Sequence, residues 1–216
     1  MINFDKKKHK YYDDSGLEYI SVTTLLGNLF PFDRNEIAKN ISQNPNSPYY
    51  KWDIKDIFKD WVKAASEGNK LHNACETFIK ENIYPTDTNL KPCVEQFAKL
   101  RFKGKLLSEQ KVCSKKYLIA GTIDLLEDCG KIIYIYDLKT YKKITEDRIH
   151  KLNLQLEIYK RLAEETFNKP CQCIGGLIFE NYAKAKQNTN LVFIKAQDAS
   201  KEVDDILNER LKEMHE

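Results

Sequence analysis

The chain has 216 residues, 42% hydrophobic and 31% charged, which suits one globular domain with a substantial core and excludes global disorder. Its 35 Lys and Arg exceed its 32 Asp and Glu by only 3, too small a bias to mark a nucleic-acid binder, and the basic stretches 6–10 and 139–160 read equally well as solvated faces. No apolar run approaches the roughly 20 residues that span a bilayer, nothing resembles a signal-peptide core, and six cysteines without a C-x-x-C pair imply reduced thiols. A soluble intracellular protein, in the cytoplasm or a DNA-containing compartment and without membrane contact, is therefore expected.

The elements follow in chain order. Residues 7–12 and 17–20 read as a hairpin around the turn-forming Asp13-Asp14-Ser15-Gly16. Ser21 is placed to cap a short helix to Leu29, Pro31 breaks it, and Asp33 caps another to about Ile41. A polar loop over 42–47 follows, with Pro45 inside it and Pro48 just after it. Residues 53–82 are helical in pattern, with an interruption expected near Gly68, and Leu71, Cys75, Phe78 and Ile79 form an apolar stripe beyond it. His72 and Glu76, four apart, flank that stripe one turn above the other. After a further helix over 91–102, strands are predicted at 105–113, 117–126 and 131–139, with Asp128-Cys129-Gly130 as a turn. Ile149, Leu152, Leu156, Tyr159 and Ala163 mark an amphipathic helix ending before Pro170; strands over 173–179 and 191–194 and a C-terminal helix complete an α/β pattern.

The chemistry concentrates on the predicted strand over 131–139. Asp137 and Lys139 alternate with Leu138, so both polar side chains leave a hydrophobic strand on one face. An isolated D-x-K is usually a surface ion pair. Here, however, the preceding strand carries Asp124 in Gly121-Thr122-Ile123-Asp124, and the Gly130 turn lets the two strands run antiparallel, so that the carboxylates can converge. A divalent cation relieves their repulsion, and hard oxygen ligands favour Mg²⁺ or Mn²⁺, with the Leu138 carbonyl as a further ligand. Such a cation polarises a phosphodiester, while Lys139 orients water or offsets phosphate charge. His72 offers an imidazole and Glu76 an outlying carboxylate. Gln155 and Tyr159, four apart on the next helix, can reach a scissile phosphate; read alone, they are a solvent-facing and a packing residue.

Taken in order, Gly68-x-x-x-His72-x-x-x-Glu76, Gly121-Thr-Ile-Asp124, Asp137-Leu-Lys139-Thr140 and Gln155-Leu-Glu-Ile-Tyr159 resemble the PD-(D/E)XK nuclease superfamily. Within it the set is most similar to the RecB-like branch, which includes lambda-type and mitochondrial genome-maintenance exonucleases. The resemblance implies a central mixed β-sheet flanked by helices, with a nuclease core over 68–216 and a hairpin and helical region over 1–67 integral to the domain. It also implies His72, Asp124, Asp137 and the Leu138 carbonyl as metal ligands, Lys139 as the catalytic lysine, and Gln155, Tyr159 and the weaker candidate Glu76 on the DNA side. Iron–sulfur members of the branch carry a cysteine cluster where this chain has only Cys171-x-Cys173, so no Fe–S cluster is expected.

A metal-dependent DNA nuclease follows, foremost an exonuclease or a single-strand-preferring enzyme in repair, replication or recombination, with DNA that is single-stranded or has free ends as partner. Tyr49, Tyr50, Trp52 and Trp61 provide candidate stacking surfaces for a strand channel. The alternatives are a sequence- or structure-specific endonuclease and a catalytically silent nucleic-acid-binding module.

Overall fold

The computed structural model describes residues 2–5, 8, 10–180, 182 and 189–215. Among them, eight strands form one mixed sheet with helices on both faces, the α/β architecture expected from the sequence. None of the helices is long and apolar enough to cross a membrane.

The chain starts with β1 (Ile2–Asp5), β2 (Lys10–Asp13) and β3 (Glu18–Ser21). The expected hairpin is β2 and β3, closed by the Asp13 carboxylate, which accepts the Ser15 and Leu17 amides at 2.9 and 3.1 Å. Strand β1, which pairs antiparallel with β2, was not anticipated: four residues are too few for alternation to register. Lys6, Lys7 and His9, part of the basic 6–10 stretch and of the first predicted strand, lie outside the described residues.

Ser21 and Asp33 cap α1 (Val22–Leu29) and α2 (Arg34–Gln43) as their side-chain chemistry predicts, each accepting amides of the first turn. Helix α3 (Ile54–Glu81) runs 28 residues from an Asp53 cap to a left-handed Asn82. The expected break at Gly68 is absent. Gly68 is buried where α3 crosses the sheet, and a Cβ there would lie 2.7 Å from Thr140 Oγ1. The glycine thus permits a close approach, and the long hydrogen-bond ladder on either side tolerates its roughly 1 kcal/mol cost.

Helix α4 (Lys91–Ala98) ends four residues before the expected 102. The Lys99 and Leu100 amides tighten onto the Gln96 and Phe97 carbonyls, and the buried Glu127 carboxylate accepts the next free amides, those of Lys103 and Gly104. The chain then enters β4 (Lys105–Ser114), β5 (Ile119–Asp128) and β6 (Ile133–Tyr141). Helix α5 (Glu146–Phe167), β7 (Cys171–Glu180), β8 (Asn190–Lys195) and α6 (Ser200–Glu213) complete the fold.

The sheet order is β1-β2-β3-β5-β6-β7-β8, with β4 along the other edge of β5. One face packs on α1, α5 and α6 through Val22, Leu26, Ile119, Ile135, Leu152, Leu156 and Val203. The opposite face packs on α3 and α4 through Leu71, Cys75, Phe97, Leu125, Leu138 and Phe179. Each such side chain contributes roughly 1.5–3 kcal/mol of apolar burial, so both helical layers are fixed to the sheet.

The edge of β5 opposite β4 is shared. Strand β3 pairs in parallel with it only at Ile119 and Ala120, and β6 pairs antiparallel only from Leu125 to Asp128. Residues 121–123 are therefore laddered to β4 alone, Asp124 falls where the β4–β5 register skips, and β3 and β6 part on either side of them. This split holds the site.

Candidate active site

Asp124 lies at the edge of the split, one residue before the β5–β6 ladder begins at Leu125 and Tyr136. Its Oδ2 accepts the Leu138 amide at 2.9 Å, so the carboxylate caps a backbone group that the diverging strands would otherwise strand. Alternation along β6 places Asp137, Lys139 and Tyr141 on the face opposite Leu138, which packs into the α3–α4 core.

Asp137 is 1% exposed. Its Oδ1 accepts a 3.0 Å hydrogen bond from the Gln155 amide on α5. Its Oδ2 receives no well-directed hydrogen bond, although Lys139 Nζ lies 2.6 Å away. Burial pushes the Asp137 carboxyl above the ordinary range; the Lys139 charge opposes this and Asp124 reinforces it. For Lys139 burial acts against the charge, but Asp137 and then Asp124 outweigh it and hold the ammonium protonated. Its side chain is 25% exposed, enough to meet a ligand.

His72, on α3, sets Nδ1 3.8 Å from Asp124 Oδ2. Burial lowers its pKa, Asp124 pulls the other way, and the neutral ring that results suits a metal ligand. His72, Asp124, Asp137, Leu138, Lys139 and Gln155 are thus brought together from α3, β5, β6 and α5. Among the described residues, no three His, Cys, Asp or Glu side chains close into a metal cage. The donor set is two carboxylates, a main-chain carbonyl and one imidazole at the edge, which fits a hard cation that keeps several waters. Asp137 Oδ2, buried and held 2.6 Å from the Lys139 ammonium, is the oxygen such a cation would share.

The remaining sequence-predicted residues surround this centre. Tyr159 is 5% exposed and sits against Gly121, where a Cβ would meet its ring at 2.5 Å, so the glycine of Gly121-Thr-Ile-Asp124 makes room for that tyrosine. Glu76, one turn beyond His72, is tied to Lys80 on its own helix. Tyr49, Trp52 and Trp61 line a cavity beside the end of β6, together with Tyr141 and Arg148, which the sequence reading did not single out. Tyr141 was accessible to the alternation that linked Asp137 to Lys139, extended by one step.

The comparisons with known proteins bear on this geometry. A search of the curated proteins gives no match. Among solved structures the chain is similar to the one titled "Crystal structure of SSO0001", at 15% identity and a TM-score of 0.40, over 89% of this chain and 75% of that one. The profile of the PD-(D/E)XK nuclease superfamily matches residues 68–216. Since that match takes in the His72 half of α3, the Asp124 and Asp137 strands and helix α5, well over half of the chain, the protein belongs to the PD-(D/E)XK nuclease superfamily.

Proposed function

We propose that the protein is a Mg²⁺- or Mn²⁺-dependent deoxyribonuclease, acting as an exonuclease or on single strands in DNA repair, replication or recombination. The observation that carries this reading is the meeting of Asp124, Asp137 and Lys139 at the split in the sheet, with one buried carboxylate oxygen facing the Lys139 ammonium.

Asp124, Asp137 and the Leu138 carbonyl would hold the ion, with His72 as a further ligand. When bound, the ion supplies Lewis acidity to the phosphodiester and offsets the carboxylates' charge. Lys139, kept protonated by both carboxylates, acts as a donor to the attacking water or to the charge developing on phosphate rather than as a base. Gln155 holds Asp137 in one rotamer through Oδ1 and leaves Oδ2 facing the centre. Tyr159 fills the space beside Gly121 and keeps water out from behind the carboxylates. Glu76 belongs to the outer edge of the site.

The test incubates wild-type protein and Asp137→Asn with end-labelled linear single-stranded, linear duplex and closed circular DNA, in Mg²⁺, Mn²⁺ or EDTA. Metal-dependent loss of linear DNA by wild type alone, with circles spared, is the expected result. Cut circles would replace the exonuclease with an endonuclease. Equal cutting by Asp137→Asn, or no cutting in either metal, would overturn the catalytic assignment.

A further inference from the structure

The cavity next to the carboxylates has a composition that the chemistry described so far leaves unused. It measures about 490 Å³, within the roughly 300–1,000 Å³ typical of small-ligand sites, and is walled by Tyr49, Trp52, Trp61, Tyr141, Lys142 and Arg148. Thr140, adjacent in sequence to Lys139, forms part of its floor. Tyr141 follows Lys139 by two positions on β6, about 7 Å along the strand, and feels the charges of both Lys139 and Asp137. A group bound beside Tyr141 would therefore lie about one nucleotide's length from Lys139.

Trp52 is 46% exposed at this site, an unusual place to leave an indole. It meets Tyr49 edge to face, with centroids 5.4 Å apart at 88°, a geometry that leaves ring surface open for stacking. Positive charge adjoins the rings: Lys142 Nζ stands 4.5 Å over Tyr49 and Arg148 Cζ 4.9 Å over Tyr141. The two carboxylates of the cavity wall are already engaged, Asp60 by the Tyr49 hydroxyl at 2.6 Å and Glu67 by Lys70 at 2.8 Å. An exposed indole with two cations beside it, Lys142 resting on the Tyr49 hydroxyl at 3.0 Å, matches a base and its phosphate, and matches an apolar peptide or a second sheet poorly.

We propose that this cavity is a subsite for one unpaired nucleotide next to the scissile phosphate, its base stacked on Trp52 and its phosphate met by Lys142 and Arg148. The inference rests on the nuclease reading above and adds a reason for strand preference. A base still paired in a duplex must leave its stack to enter, at a cost of a few kcal/mol, whereas a base in a single strand is already free.

The test measures binding by fluorescence anisotropy in EDTA, so that nothing is cut, using fluorescein-labelled oligothymidylate of 20 nucleotides or the same length as duplex. An abasic residue is walked along the single strand. Trp52→Ala is expected to weaken single-strand binding about ten-fold and Trp52→Phe to restore most of it. In wild type one abasic position should reproduce the loss, and that position should cost nothing further in Trp52→Ala. A flat abasic profile in wild type, which needs no variant to fold, would overturn the subsite, as would equal losses of single-strand and duplex binding in Trp52→Ala. Cleavage in Mg²⁺ with a flat profile removes the subsite and leaves the nuclease; base-dependent binding without cleavage in any metal does the reverse.

Discussion

Replacing Gln155 by alanine separates two roles that the sequence leaves open, contact with DNA and support of the catalytic carboxylate. Gln155 is only 9% exposed, and its amide donates to Asp137 Oδ1 at 3.0 Å. Because the other oxygen of Asp137 receives no directed hydrogen bond, the variant leaves a buried carboxylate with neither oxygen so satisfied. A hydrogen bond to a charged group is worth about 1.5–3 kcal/mol. Since 1.4 kcal/mol is about ten-fold, the Mg²⁺ concentration for half-maximal hydrolysis should rise about 10–100-fold, the usual consequence of removing a partner that orients a metal ligand. The assay titrates Mg²⁺ against initial rates on a labelled oligonucleotide, then measures KM for DNA at saturating metal. The metal dependence should shift while KM stays within about two-fold. A ten-fold rise in KM with an unchanged Mg²⁺ curve would place Gln155 on the DNA strand and refute the positioning argument.

Lys139→Met keeps an unbranched apolar stem, one atom shorter, and removes the charge, so it should lower kcat about 10²–10³-fold in single-turnover assays without unfolding the protein; a loss under ten-fold would remove Lys139 from the chemistry. Gly121→Ala drives a methyl to 2.5 Å from the Tyr159 ring and should cost about 1–3 kcal/mol, a drop of roughly 2–12 °C in melting temperature, which Tyr159→Leu should partly rescue; additive losses would deny the contact. In EDTA, the raised Asp137 pKa means that the native state binds its proton more tightly than the unfolded chain does. The stability it contributes is full below the ordinary carboxylate pKa of 3.8 and falls as pH rises through the raised native value. Urea midpoints of wild type minus Asp137→Asn should therefore decline from pH 4 towards neutrality, and Mg²⁺ should reverse the decline; a flat difference would show that burial does not penalise the charge.

The parts of the fold written in local chemistry were legible. Ser21 and Asp33 announce helix starts because their side chains accept first-turn amides, and both do so; Asp53, read only as the start of a helical pattern, caps α3 in the same way. What failed were positions whose meaning depends on a distant partner. Gly68 looks like a helix break until Thr140, seventy-two residues away in sequence, is seen against it. Helix α4 stops short of the expected end as the chain turns into β4, where Glu127 on β5 accepts the Gly104 amide. For Gln155 the signal was present and not used. It falls at i+3 from Leu152 and i−4 from Tyr159, inside the apolar stripe of α5, and a glutamine in such a stripe requires a buried partner, here Asp137.

The split along β5 shows why fold and site are difficult to separate in this chain. A sheet laddered continuously through residues 121–124 would give the Leu138 amide a strand partner and leave no opening beside Asp124. Because β3 releases β5 after Ala120 and β6 joins it only at Leu125, the gap exposes one backbone donor, and the side chain that satisfies it is a proposed metal ligand. The same gap is where Gly121 admits Tyr159 and where Tyr11 from the amino-terminal hairpin reaches Thr122, their hydroxyls 2.9 Å apart. Residues before the matched nuclease region thus close one side of the gap.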